Sequence, residues 1–152
     1  MSRCLVGSEM CIRDRIFTHR LTNMYLSISR ITFIIVILIA LSLTTWKSSS
    51  FYHREYLHFE NFFGGSVTFH ALFSFLIGLT SVFSFPALAR TTGHDLFGIR
   101  LLILLLLIVS LEEFSQLFIA SRSFSFDDLS TNWIWIILGY FCAKLMKLIV
   151  KK

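Results

Sequence analysis

Ionisable and amide side chains fill the segment from Glu112 to Asn132, which reads EEFSQLFIASRSFSFDDLSTN and lies between two strongly apolar stretches. The segment holds two glutamates, a glutamine, an arginine, two aspartates and an asparagine. An ionisable group at membrane depth is costly unless it is paired or faces a wet cavity. We therefore expect any function of this chain to involve these residues.

Helical spacing groups these polar side chains onto shared faces. Glu113 and Gln116 are three residues apart, and Asp128 and Asn132 are four apart, so each pair would lie on one side of a helix. The second face continues with small and apolar residues at the same spacing, Ile136, Gly139 and Ala143. An earlier apolar stretch carries a comparable small and polar stripe, His70, Ser74, Gly78 and Ser81. These patterns predict close helix packing, and the charges favour a polar pocket between the helices.

The composition predicts an integral membrane protein. Hydrophobic residues make up 55% and aromatic residues 16% of the 152 residues, and the chain has one proline. Its mean hydropathy is +0.73. This composition is too apolar for a soluble domain. The net charge is +5, but the basic residues cluster at the ends of the apolar stretches and form no stripe with aromatics. We therefore expect the lipid bilayer as a partner and no nucleic acid.

The predicted fold is an all-α four-helix transmembrane bundle in one domain over residues 16–152. Four apolar stretches are long enough for about 20 helical residues, the length that crosses a hydrocarbon core. Their expected ranges are about 26–46, 66–89, 101–121 and 129–150. Pro86 is expected to kink or end the second helix. Between the first two spans, FYHREYLHFENFF is predicted to form an interfacial amphipathic helix.

Residues 1–15 are predicted to be non-native, because SRCLVGSEMCIRDR resembles the translation of a sequencing-library adapter. The fold prediction leaves these residues out. We expect either that the natural chain starts at Met24 or that its true N-terminus has been lost. Without them Cys142 is the remaining cysteine. It lies in an apolar helix, where a structural thiol is expected and no disulfide framework can form.

Basic residues predict the orientation of the spans. They concentrate before the first span, between the second and third, and after the fourth, at Arg20, Arg30, Arg90, Arg100, Lys144, Lys147, Lys151 and Lys152. We therefore expect a multi-pass protein of the cell membrane with both termini cytoplasmic. The polar residues of the second, third and fourth spans would then meet at the outer end, in one outward-opening pocket.

One ordered set of residues resembles the signature of the VanZ-like family. That signature is E-x-x-Q, followed by an arginine six residues after the glutamine, an aspartate six residues after the arginine, an asparagine four residues after the aspartate and a small residue within the next two turns. The matching residues here are Glu113, Gln116, Arg122, Asp128, Asn132 and Gly139. His70 matches the family histidine on the second helix, and the resemblance covers about residues 66–143. Ser66 and Val67 stand where the family commonly has Asp-Lys, and Trp135 stands in place of a glycine, which indicates a divergent member. The resemblance implies a small envelope membrane protein with some relatives linked to teicoplanin resistance.

The sequence thus predicts a pocket that binds a polar or anionic envelope component, such as an envelope lipid or a cell-wall precursor. Its candidate residues are His70, Glu113, Gln116, Arg122, Asp128 and Asn132. Arg122 would meet a phosphate or carboxylate, because its planar guanidinium suits either. No metal or cofactor is expected, and the sequence leaves open which of Glu112 and Glu113 faces the pocket.

Two alternatives remain open at the level of sequence. The first is an intramembrane hydrolase or transferase with His70 and Glu113 as acid and base, although no recognised nucleophile motif occurs. The second is a structural bundle or partner subunit. In that case Glu112 or Glu113 would pair with Arg122, and Asp127 or Asp128 would cap the last helix.

Overall fold

The computed structural model describes residues 8–48, 53–90, 98–118 and 124–150, and this part of the chain is helical with no β-strand. Its elements are α1 (Ser8–Ser48), α2 (His53–Phe62), α3 (Ser66–Ser84), α4 (Ile99–Ser115), a 3-10 turn (Gln116–Phe118) and α5 (Phe126–Val150). Within the described ranges, four stretches are long and apolar enough to cross a membrane, Thr22–Lys47, Ser66–Ser84, Ile99–Phe118 and Phe126–Val150. The predicted all-α architecture of four spans is confirmed, and it indicates a multi-pass membrane protein.

Helices α3 and α5 form the closest pair in the bundle because both present glycine at their crossing. A Cβ at Gly78 would collide with the carbonyl oxygen of Ile136, and a Cβ at Gly139 would collide with that of Phe75. The small and polar stripes predicted from the sequence are the buried faces of this pair, with Ser74, Gly78, Ser81, Asn132, Ile136, Gly139 and Ala143 all buried. Small side chains let the two backbones approach, as membrane helices require.

The other two spans pack on opposite members of that pair. Helix α1 contacts α3, whereas α4 contacts α5. Among the described residues, no Cα atom of α1 lies within 8 Å of a Cα atom of α4. Apolar residues of α1 and α4 join the core through α3 and α5, among them Val36, Leu101 and Leu105. Helices α1 and α4 therefore do not pack closely against each other.

Proline ends α3 earlier than the sequence predicted. The helix stops at Ser84 instead of about residue 89, because Pro86 has no amide N–H to donate to the carbonyl oxygen of Val82. The ammonium of Lys147 on α5 donates to that oxygen instead, at 2.5 Å. Two more basic side chains donate to carbonyl oxygens at this end of α3, Arg30 to Ser84 and Lys144 to Ala89.

Three other helix boundaries differ from the prediction. The α-helical part of α4 ends at Ser115 and continues as a 3-10 turn. Helix α5 begins at Phe126, three residues early, and the Ser125 hydroxyl accepts the backbone N–H of Asp128 at 3.2 Å. Ser125 is therefore the N-cap residue, in place of the expected Asp127 or Asp128. Helix α1 begins at Ser8, inside the segment that the sequence analysis set aside.

Candidate functional site

Four polar side chains of α3 and α5 lie together in a group that we call the polar cluster: His70, Ser74, Asp128 and Asn132. Asn132 Oδ1 accepts from the Ser74 hydroxyl at 2.7 Å and from Nδ1–H of His70 at 3.2 Å. His70 Nε2 lies 3.8 Å from Asp128 Oδ2, an ion-pair distance when the ring is protonated. The spacing of His70 and Ser74 on α3, and of Asp128 and Asn132 on α5, brings all four to the end where both helices begin.

Helix α4 adds a carboxylate at the same end. Glu113 is 1% exposed, accepts from Gln116 Nε2 at 3.3 Å and accepts from the backbone N–H of Ser125 at 3.4 Å. Because the Ser125 hydroxyl also accepts from the N–H of Asp128, Ser125 connects Glu113 with the polar cluster. Five of the six candidate residues therefore lie at one end of the bundle.

Arg122, the sixth candidate residue, lies outside the described residues. Among the residues that the structure describes, no cation pairs with Glu113, and its hydrogen bonds come from an amide side chain and a backbone amide. In the same part of the chain, no group of three or more His, Cys, Asp or Glu side chains could hold a metal ion.

A cavity of about 280 Å³ opens beside the polar cluster. Its polar end is lined by His70, Ser74, Asn132, Glu112, Lys47, Tyr56 and Thr44. Its apolar wall comes from α1 and α4, with Ile37, Ala40 and Leu41 on one side and Ile108 and Val109 on the other. The cavity therefore lies in the gap between α1 and α4, and we call it the cleft.

The two adjacent glutamates take different positions, which the sequence left open. Glu112 lines the cleft and is half-buried, whereas Glu113 points toward the start of α5 and is buried. Gln116 Nε2 lies between them and donates to Glu112 Oε1 at 3.2 Å as well as to Glu113. Glu112 is therefore the cleft-facing carboxylate and Glu113 is the one that holds α4 to α5.

Helices α1 and α2 supply cleft residues that the sequence did not predict. Lys47 donates to the Ser66 hydroxyl at 2.8 Å and lies 3.7 Å from Glu60, which is 6% exposed. Tyr56 is buried and lines the cleft. The signal for Lys47 was its place at the end of the first span, but a basic residue there also fits an interfacial anchor. Only the fold distinguishes the two roles.

The charges at the cleft do not balance among the described residues. Lys47 is paired with Glu60, so its charge is compensated. Glu112 has the neutral amide of Gln116 as its partner, so its carboxylate is left without a cation in this part of the chain. Asn132 adds a hydrogen-bond donor, its Nδ2 group. The residue is 4% exposed, and this group has no protein acceptor among the described residues. A buried amide donor and a carboxylate thus line the same cavity.

The geometry of His70 bears on the catalytic alternative. Nδ1 faces Asn132 and Nε2 faces Asp128, so both ring nitrogens are directed at protein groups of the described residues. Glu113 shares no hydrogen bond with His70 among the described residues. General acid–base catalysis needs the group within hydrogen-bond reach of the proton that it transfers. The site as arranged can hold a ligand by hydrogen bonds and charge.

Compared with known proteins, the chain matches no family model, no curated protein and no solved structure. The resemblance to the VanZ-like family therefore depends on the spacing of the residues that carry it.

Proposed function

We propose that this chain is a VanZ-like protein of the cell membrane, with a pocket that binds a polar or anionic component of the cell envelope. The pocket is the polar end of the cleft. With both termini in the cytoplasm, as the basic residues predict, this end would face outward. An envelope lipid or cell-wall precursor would reach it from the outer leaflet.

One observation supports the proposal most strongly. Asn132 is 4% exposed and lines the cleft, and its oxygen accepts from both Ser74 and His70. Its Nδ2 group has no protein acceptor among the described residues. A buried donor without an acceptor costs about 1–3 kcal/mol. An acceptor on a ligand would remove that cost.

The volume of the cleft limits what it can enclose. Ligand pockets commonly measure about 300–1,000 Å³, and the cleft, at about 280 Å³, is near the lower end. It can hold a head group but not a whole glycopeptide. A role in teicoplanin resistance, which the family resemblance suggests, would therefore act through an envelope component and not by enclosing the drug.

The proposal favours binding over catalysis. An intramembrane hydrolase or transferase would use His70 with Glu113, but these two residues are bonded to different partners. A purely structural bundle would account for Glu113 and Ser125, but it gives no reason for a carboxylate and an amide donor to line a cavity.

Lipid analysis of the full chain in native-membrane discs tests the proposal. Mass spectrometry should find one envelope lipid or precursor enriched over its share of the surrounding membrane. Asn132→Leu, which has a similar shape but no polar atoms, should lose the enrichment. Ser81→Ala is the matched control, since Ser81 is buried on α3 and donates only within its own helix. A wild-type lipid content equal to that of the membrane, or unchanged enrichment in Asn132→Leu, would contradict the proposal.

A further inference from the structure

We propose that the occupant of the cleft is a zwitterionic bilayer lipid that enters from the side between α1 and α4. Its ammonium group would meet Glu112, a phosphoryl oxygen would accept from Asn132, and the start of a hydrocarbon chain would lie along the apolar wall. This inference rests on the proposed function and names the class of ligand.

Charge complementarity selects the ammonium. Lys47 is neutralised by Glu60, whereas Glu112 has a neutral partner among the described residues. These described residues of α1, α2 and α4 together carry a net negative charge at the cleft. A half-buried carboxylate gains from a cationic ligand group through a charge-assisted hydrogen bond. A head group with only negative charge would be repelled by Glu112.

Hydrogen-bond complementarity selects an acceptor on the same head group. The Nδ2 group of Asn132 is a donor, and its orientation is fixed because Oδ1 accepts from both Ser74 and His70. A phosphoryl oxygen is a strong acceptor. A zwitterionic phospholipid carries this acceptor and an ammonium a few bonds apart, which matches one donor and one carboxylate on the wall of a single cavity.

The shape of the cleft selects a ligand with a hydrocarbon chain. Its lower walls are Ile37, Ala40 and Leu41 on α1 and Ile108 and Val109 on α4. Leu41 and Ile108, one from each helix, are 49% and 53% exposed, so these walls face the space that lipid chains occupy around a membrane helix. A water-soluble head group would leave them uncovered, whereas an attached chain would cover them.

Matched lipids provide the test. The detergent-purified full chain is titrated with phosphatidylethanolamine and phosphatidylglycerol of identical chains, and binding is read by native mass spectrometry. The two lipids share the phosphate and the chains and differ in the ammonium. We expect phosphatidylethanolamine to bind at least about tenfold more tightly, the size of a hydrogen bond to a charged group. Glycerophosphoethanolamine, the same head group without chains, should bind far more weakly.

Two substitutions locate the two parts of the lipid. Glu112→Gln should bring the affinity ratio of the two lipids close to one, whereas Glu55→Gln, at an exposed acid of α2, should leave it unchanged. Ala40→Trp fills the apolar part of the cleft and should weaken both lipids. Its control is Leu38→Trp, also on α1, at a side chain that is 56% exposed outside the cleft.

The outcomes separate this inference from the proposed function. Equal or tighter binding of phosphatidylglycerol by the wild type overturns the inference, whatever the variants do. Loss of binding in Asn132→Leu together with an unchanged Ala40→Trp also overturns it but leaves the proposed function standing. If Asn132→Leu binds every lipid as the wild type does, both are wrong.

Discussion

The ammonium of Lys147 donates a hydrogen bond of 2.5 Å to the carbonyl oxygen of Val82, the oxygen that Pro86 cannot satisfy. The same ammonium lies 5.0 Å from the ring centre of Phe83. Lys147 was selected from the sequence as a marker of the cytoplasmic side. In the structure it also compensates for the helix break, and a cation is favoured at the C-terminal end of a helix.

This relationship predicts energetic coupling between Lys147 and Pro86. Lys147→Met should destabilise the bundle by about 1–3 kcal/mol, because the buried Val82 oxygen loses its donor. In a Pro86→Ala background the cost should be clearly smaller, since the introduced alanine supplies an N–H at the right place in the helix. Unfolding of the four proteins in one detergent measures the coupling. Strictly additive effects would show that Lys147 does not replace the missing amide.

The two neighbouring glutamates should separate stability from binding. Glu113→Ala leaves the Ser125 amide and the Gln116 side chain without their acceptor, so we expect a loss of about 1–3 kcal/mol in unfolding free energy. Glu112→Ala should cost much less stability, because Glu112 is half-buried at the cleft and shares one bond with Gln116. The same unfolding assay ranks the two. A larger loss of unfolding free energy in Glu112→Ala than in Glu113→Ala would contradict this division of roles between the two carboxylates.

The crossing of α3 and α5 predicts a strong penalty for the smallest possible side chain. Gly139→Ala places a methyl group against the Phe75 carbonyl oxygen, so the helices must separate, at a cost of about 1–3 kcal/mol. The neighbouring Leu138→Ala is the control, because Leu138 is 49% exposed. Thermal unfolding of both variants checks this. A neutral Gly139→Ala would show that the two helices do not cross at this residue.

Orientation is predicted from charge and can be measured independently of the pocket. Single cysteines at positions 49 and 123, in a chain without Cys4, Cys11 and Cys142, should react with an impermeant thiol reagent in intact cells. A cysteine at position 92 should react only after the cells are opened. Labelling at position 92 in intact cells would invert the topology and place the cleft at the inner leaflet.

The faces of α3 and α5 could be predicted because their signal is local. Polar and small residues at helical spacing in a strongly apolar chain leave one packing surface, and Asn132 and Gly139 lie on it. The helix ends were predicted less well. The pattern marked Pro86 as a break, but it did not show that Val82 would take Lys147 as a partner from 65 positions along the chain.

The cleft could not be predicted, because uniformly apolar helices carry no mark of what they touch. The run from Leu101 to Val109 on α4 is apolar on all sides, so the sequence does not indicate that one side faces α5 and another faces the gap beside α1. Nor could spacing distinguish Glu112 from Glu113, which are about 100° apart on a helix with 3.6 residues per turn. The position of the helix among its neighbours decides between them.

The side-chain amide of Asn132 provides the most direct test of the pocket. The chain has three asparagines, at positions 23, 61 and 132, so selective ¹⁵N-asparagine labelling gives three side-chain amide signals. In discs made from total envelope lipid, the Asn132 amide protons should show nuclear Overhauser effects to non-exchangeable head-group protons of a bound lipid. The signal is assigned by its loss in Asn132→Leu, and the exposed Asn23 and Asn61 are internal references. An Asn132 amide with contacts to protein or water alone would contradict the account.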